Sequence, residues 1–156
     1  DRTAHDWRKV KYAYMDARRS ANRQGLTLKG PKRIYVGYYS SVGMLFAQKH
    51  GFFRTYHELV FEMFWSHHLD VDELSEMRAV IERLGGSADE YEAYAHGAGK
   101  EEHDRIIQEA EAMGVFGVPF MIFEGEKFFG GDRIDLLKEY LEAASTVISN
   151  SVQEVA

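Results

Sequence analysis

The chain has 156 residues, 45% of them apolar and 28% charged, with a formal net charge of −6. That is the balance of a single globular domain, or one domain with a large insertion, that can bury an ordinary core. No run of about 18 apolar residues spans a bilayer. The opening DRTAHDWRKVKY has no apolar segment for a signal peptide, and the absence of Cys excludes disulfides, Cys-based zinc sites and thiol chemistry by this chain. The first residue is Asp rather than Met, which reads as a natural start lying upstream. Residues 1–33 carry ten Lys and Arg against three Asp and Glu, and the rest of the chain nine against 22. On an acidic chain such a basic end reads as neutralising the body or meeting a small anionic ligand, not as a nucleic-acid surface.

Residues 6–24 place Trp7, Val10, Tyr14, Ala17 and Ala21 at three- and four-residue steps before Gly25, which predicts an amphipathic helix. A loop around Gly30-Pro31 follows, with a short extended piece at Ile34–Val36. Ser40 or Ser41 is placed to cap a helix through Met44, Leu45 and Phe46 that stops near Gly51. TYHELVFEMFWSHH is a strongly apolar helix, and Asp70/Asp72 introduce another, DELSEMRAVIERL, closed by Gly85-Gly86. Ser87-Ala-Asp-Glu is a capping box for a helix to about His96. After Gly97–Gly99, KEEHDRIIQEAEAM turns Ile106, Ile107, Ala110 and Met113 inward.

At Gly114 the pattern changes. FMIF and KFF flank a Gly turn, the signature of a β-hairpin. Gly130-Gly131 then precede Asp132, placed as N-cap of RIDLLKEYLEAAS, and the residues from about Ile148 read as a frayed tail. FMIF lacks alternation, so both faces of its strand should be covered, yet a two-stranded hairpin is marginal alone. His67-His68-x-Asp70-x-Asp72 has the residue types of a metal site, but adjacent histidines diverge on a helix and no second ligand pair follows, so no metal is assigned.

Taken in order, Lys11-x-x-Tyr14-Met15, Gly117-Val118-Pro119 and Phe129-Gly-x-Asp132-Arg133 resemble the kappa-class glutathione transferases and the 2-hydroxychromene-2-carboxylate isomerases, a DsbA-like branch of the thioredoxin fold. FEMFWSHHLDVDE is similar to the family's helix that ends in an aromatic pair before an acidic turn. The resemblance implies an α/β, thioredoxin-like protein that is mostly helical as given. Residues 1–99 would form a helical insertion, 100–146 the C-terminal half of the thioredoxin-like domain, and 147–156 a tail. It also implies an opening strand–helix–strand unit upstream, carrying the catalytic residue: Ser in the isomerases and transferases, Cys-x-x-Cys in the disulfide oxidoreductases. The implied protein is a cytoplasmic, homodimeric, glutathione-dependent isomerase or transferase. It would act on an aromatic or unsaturated keto-acid-like electrophile, with neither nucleic acid nor membrane as partner. A DsbA-like thiol-disulfide oxidoreductase and an inactive interaction module are the alternatives.

Five residues carry the implied glutathione contacts. Proline is the residue before which a cis peptide is accessible, and a cis Val118–Pro119 bond would turn the Val118 N–H and C=O toward a peptide ligand; a trans Pro119 starting a strand is the plain alternative. Gly131 and Asp132 precede a helix, where free amides attract a carboxylate and the Asp132 side chain can accept from an ammonium group, as a γ-glutamyl end requires. Plain helix capping is the competing role for Asp132. Lys11 matches a family lysine that contacts the tripeptide; Arg8, Lys9 and Arg18 are neighbouring alternatives.

Overall fold

A computed structural model describes the backbone of residues 4–153 and the side chains of 6–145. The chain divides into two compact units, residues 1–106 and 107–156. The first contains α1 (Ala4–Arg23), α2 (Tyr38–Lys49), α3 (Phe53–Trp65), α4 (Leu74–Arg83), α5 (Ala88–His96) and the first turns of α6 (Ala98–Ala112). The second contains the end of α6, then β1 (Phe120–Phe123), β2 (Glu126–Phe129), a short 3-10 turn (Gly131–Arg133) and α7 (Ile134–Gln153).

Helices α2 to α5 enclose the core of the first unit. Val42, Phe46 and Ala47 from α2 meet Tyr56 and Val60 from α3, Met77, Val80 and Ile81 from α4, and Tyr91 and Ala95 from α5. Each group recurs at three- and four-residue steps, so burying one stripe per helix accounts for four helices at once. Tyrosines brace the start of α2: the Tyr56 hydroxyl donates to the Ser40 carbonyl at 2.8 Å, and Tyr91 to the Tyr39 carbonyl at 2.7 Å. Burial pushes both phenols above their ordinary range, with nearby tyrosines adding to it, so they act as donors only. At Gly43 a Cβ would lie 2.3 Å from Tyr56 Oη. Glycine there lets the phenol lie flat on α2.

Several termini differ from expectation. Helix α2 begins at Tyr38 with Gly37 as its cap residue, and the Ser40 hydroxyl donates to the Gly37 carbonyl instead of capping. The cap is supplied from 35 residues away: the Asp72 carboxylate accepts from Gly37 N at 2.6 Å and Val36 N at 3.1 Å. A local propensity rule sees only the nearest Ser, whereas Asp72 is delivered by tertiary folding. Asp70 and Asp72 accordingly do not cap α4, whose cap residue is Glu73. Ser87 does cap α5, accepting from Glu90 N at 3.3 Å. Helix α7 continues to Gln153, past the point at which a tail is predicted; STVISNSVQ contains neither Gly nor Pro to stop it.

In the second unit β1 and β2 pair antiparallel with Phe120 opposite Phe129 and Phe123 opposite Glu126. The two-residue turn Glu124-Gly125 has positive φ at both positions, 50° and 84°, the turn that matches the twist of a hairpin. Phe128 is buried beneath the Tyr140 ring of α7 at 5.3 Å. The coverage expected for FMIF is partial. Ile122 remains 42% exposed, because the sheet has two strands among the described residues.

Candidate functional site

The second unit joins its two Gly-rich segments through one hydrogen bond. Helix α6 ends at Ala112, and the chain runs through Gly114, Val115, Phe116 and Gly117 into Val118–Pro119, whose peptide bond is cis. The Pro119 carbonyl accepts from Gly130 N at 3.0 Å, extending the β1–β2 ladder by one step beyond the Phe120–Phe129 pair. Residues before β1 and after β2 are thereby fixed to each other. Phe116 packs across this end of the hairpin, 5.3 Å from the Phe120 ring and 4.7 Å from that of Phe129.

Val118 is 86% exposed, and its N–H and C=O make no hydrogen bond among the described residues. Beyond the same ladder end, Gly130 turns the chain with φ 101° and ψ 152°. Only glycine adopts this region freely, and a Cβ here would also lie 2.5 Å from Asp132 Oδ1. The 3-10 turn closes with Arg133 N donating to the Gly130 carbonyl at 3.1 Å. The Gly131 and Asp132 amides, ahead of that bond, are unpaired among the described residues.

Asp132 is not the N-cap of α7. It sits inside the 3-10 turn, its carboxylate 3.3 Å from the Arg133 guanidinium, and makes no bond to the α7 backbone among the described residues. The interposed turn explains the difference: α7 begins two residues later, at Ile134. The side chain is 73% exposed, so its remaining acceptor sites face solvent. Val118, Pro119, Gly131 and Asp132 therefore stand on two adjoining turns that hold three free main-chain donors, a free main-chain carbonyl and a carboxylate.

Lys11 belongs to the first unit. It lines a groove of about 370 Å³ with Trp7, Tyr14, Arg18 and the Gly30–Pro31 bend. Arg18 is committed there, its Nε donating to the Leu28 carbonyl at 3.1 Å, while Lys11 has no partner among the described residues. Of the cations near this position, Lys11 is thus the one on that groove with a free head group.

The His–Asp segment is occupied otherwise. His67 Nε2 bonds the Gly30 carbonyl at 2.8 Å, His68 Nδ1 bonds Ser66 Oγ, and Arg33 forks onto Asp70 and Asp72 at 2.9 and 2.7 Å. Burial acts to raise the Asp72 carboxyl, but bonds from the Gly37 and Val36 amides and from Arg33 outweigh it and hold the group below its ordinary value. Sequence patterning could not find this clasp, since Arg33 and Asp72 are 39 residues apart. Phe116 was also missed as part of the site; its signal was the aromatic on each side of the two Gly-rich turns.

A model of the DSBA-like thioredoxin domain matches residues 2–142. A 2-hydroxychromene-2-carboxylate isomerase of Sphingobium xenophagum is 26% identical over 134 residues, which is 85% of this chain and 68% of that protein. One of Pseudomonas putida is 29% identical, over 83% of this chain and 64% of that protein. The chain thus spans about two thirds of the length of these relatives. A solved structure of 2-hydroxychromene-2-carboxylate isomerase superposes with a TM-score of 0.73 at 25% identity, covering all of this chain and 75% of that one. The architecture is the DsbA-like thioredoxin fold in a mostly helical form.

Proposed function

Because this chain belongs to the DSBA-like thioredoxin domain family, we propose that its two adjoining turns bind glutathione in an isomerase of the 2-hydroxychromene-2-carboxylate type. The substrate would be an aromatic or unsaturated keto-acid-like electrophile. The isomerase part of the reading is supported by relatives of that name. The glutathione part rests on one observation. The Gly130–Pro119 hydrogen bond holds an unpaired Val118 main chain beside unpaired amides at Gly131-Asp132 and the exposed Asp132 carboxylate, which is paired to Arg133 alone.

These groups fit a tripeptide. The Val118 N–H and C=O can take up an extended peptide main chain in the manner of an added strand. The Gly131 and Asp132 amides suit a carboxylate, and the Asp132 side chain suits the adjacent ammonium, so a γ-glutamyl terminus satisfies all three. Glutathione would supply a thiolate that adds to a conjugated carbon and leaves after a bond rotation. The share of these residues is to fix its backbone and keep the reacting partners together, which substitutes for a bimolecular encounter. No residue of the 156 is assigned the role of activating the thiol.

Calorimetric titration with glutathione tests the reading. Asp132→Ala should weaken binding by about 1–3 kcal/mol, the worth of a charge-assisted bond, with the melting temperature unchanged because Asp132 caps no helix. Unchanged affinity would sink the γ-glutamyl assignment. The DSBA-like family description favours a second reading, in which the Val118 main chain holds a protein peptide. Binding of an extended peptide that Asp132→Ala leaves intact, with no binding of glutathione, would select it.

A further inference from the structure

The hairpin carries a cation of its own. Lys127 on β2 stands opposite Ile122, and by the alternation of a strand it shares a face of the sheet with Phe120 and Phe129. Its ammonium lies against the turn that follows α6, where a Cβ at Gly114 would come within 2.9 Å of Nζ. Gly114 also has φ 78°, so glycine serves both the backbone and the close approach. Further along the same segment Phe116 packs on Phe129, and a Cβ at Gly117 would lie 2.8 Å from that ring. Residues 114–119 therefore cross one face of the hairpin, from the Lys127 ammonium at one end to the Gly130 amide at the other. Lys127 is exposed, and among the described residues its ammonium makes no hydrogen bond or ion pair.

Resting on the glutathione reading above, we infer that Lys127 holds the glycyl carboxylate of the tripeptide. Glutathione ends in two carboxylates, and the Gly131 and Asp132 amides suit the γ-glutamyl one. Lys127 and Gly130 are three residues apart, about 10 Å at the rise of a strand, and three extended residues of a ligand cover about the same distance. A main chain laid against Val118 with its γ-glutamyl end at Gly131 is thus long enough to bring its other end to Lys127. The charges set the direction. Asp132 accepts from the γ-glutamyl ammonium, whereas the reversed ligand would turn that ammonium toward Lys127 and leave Asp132 facing a carboxylate alone. Lysine suits the far end, because an ammonium on a flexible stem can follow a single terminal carboxylate, where arginine's fork asks for one planar geometry.

Calorimetric titration of the purified chain with glutathione, and with glutathione amidated at its glycine, separates the two ends. Amidation removes the charge that Lys127 meets and should weaken binding to the parent chain about five- to tenfold, the worth of an exposed charge-assisted contact. Lys127→Met keeps the stem and removes the ammonium. It should weaken glutathione by the same factor yet leave the amidated ligand within about twofold of its affinity for the parent, since both changes delete one interaction. Lys127→Arg should recover most of the loss. Asp132→Ala, acting at the other end, should weaken both ligands alike. The melting temperature of Lys127→Met should match that of the parent, because the ammonium makes no bond within the fold among the described residues. Glutathione binding that depends on Asp132 but not on Lys127 overturns the role of Lys127 and leaves the glutathione reading standing. A penalty for amidation that persists in Lys127→Met and vanishes in Lys11→Met overturns it too, giving the glycyl end to Lys11. Failure of the parent chain to bind glutathione at all overturns both.

Discussion

The two units spend their apolar residues differently. In residues 1–106 the large side chains of four helices converge until Val42, Met77, Ile81 and Tyr91 reach zero exposure. In residues 107–156 Phe128 is the one buried side chain among the described residues, while Phe116, Val118, Ile122 and Phe129 stay 42–86% exposed. The first unit has the interior of a self-sufficient fold. The second has a short hairpin, two Gly-rich turns and an aromatic end that remains open, which is how a surface organised for contact differs from one organised for packing.

The largest effect should follow from hollowing the closed core. Met77 is fully buried among α2, α3 and α5, so Met77→Ala should cost about 2–5 kcal/mol, the range for a methionine or leucine removed from a packed core. Chemical denaturation monitored by far-UV dichroism measures it. A loss well under 1 kcal/mol would mean that the first unit is packed no better than the second, and the contrast between them would fail.

Next in size is the clasp that fastens the start of α2. Asp72→Asn keeps an acceptor for Gly37 but turns a donor toward Val36 N or Arg33, so about 2–3 kcal/mol should be lost at neutral pH. The sign with pH follows from the carboxyl's depressed value. Its contribution is fully present above the ordinary 3.8 and disappears as pH falls through the lower folded value, when the protonated acid resembles the amide. The gap between parent and variant, read from melting temperatures at a series of pH values, should therefore close below pH 3.8. A gap that stayed constant into acid would show that the clasp works through shape and not charge.

The same contrast separates what the sequence discloses from what it withholds. Helical stripes such as Met77, Val80 and Ile81 have a period, and a period is local, so the helices of the first unit could be read directly. The Ser87 cap was legible for the same reason. Asp72 was not, because its partners at Arg33, Val36 and Gly37 are set beside it only once α2 and α4 have packed. In the second unit the hairpin and both turns were legible from Gly and Pro, and Val118 and Gly131-Asp132 could be named from the resemblance their motifs carry. What could not be read was that a 3-10 turn separates Asp132 from α7, nor that the Pro119 carbonyl accepts from Gly130 and ties the two motifs together. A cap and a binding group ask for the same residue at the same place, and the register of the helix start shows only that Asp132 is not the cap.

The smallest global effect should come from the open unit. Phe128 is 5% exposed and packs edge-on to Tyr140, so by area alone Phe128→Ala resembles a core deletion. Its neighbours do not. Met121 opposite it on the same face is only partly buried and Tyr140 itself is 44% exposed, so these side chains can relax into the vacated space and little of it persists as a cavity. The main unfolding transition, which reports the closed core, should then shift by less than about 1 kcal/mol. The loss should instead appear locally, as faster amide exchange across the β1–β2 ladder and the first turns of α7, since regions with few buried contacts open on their own. If exchange quickens equally in α2 to α5, the two units share one cooperative transition, and the difference in burial between them has no counterpart in stability.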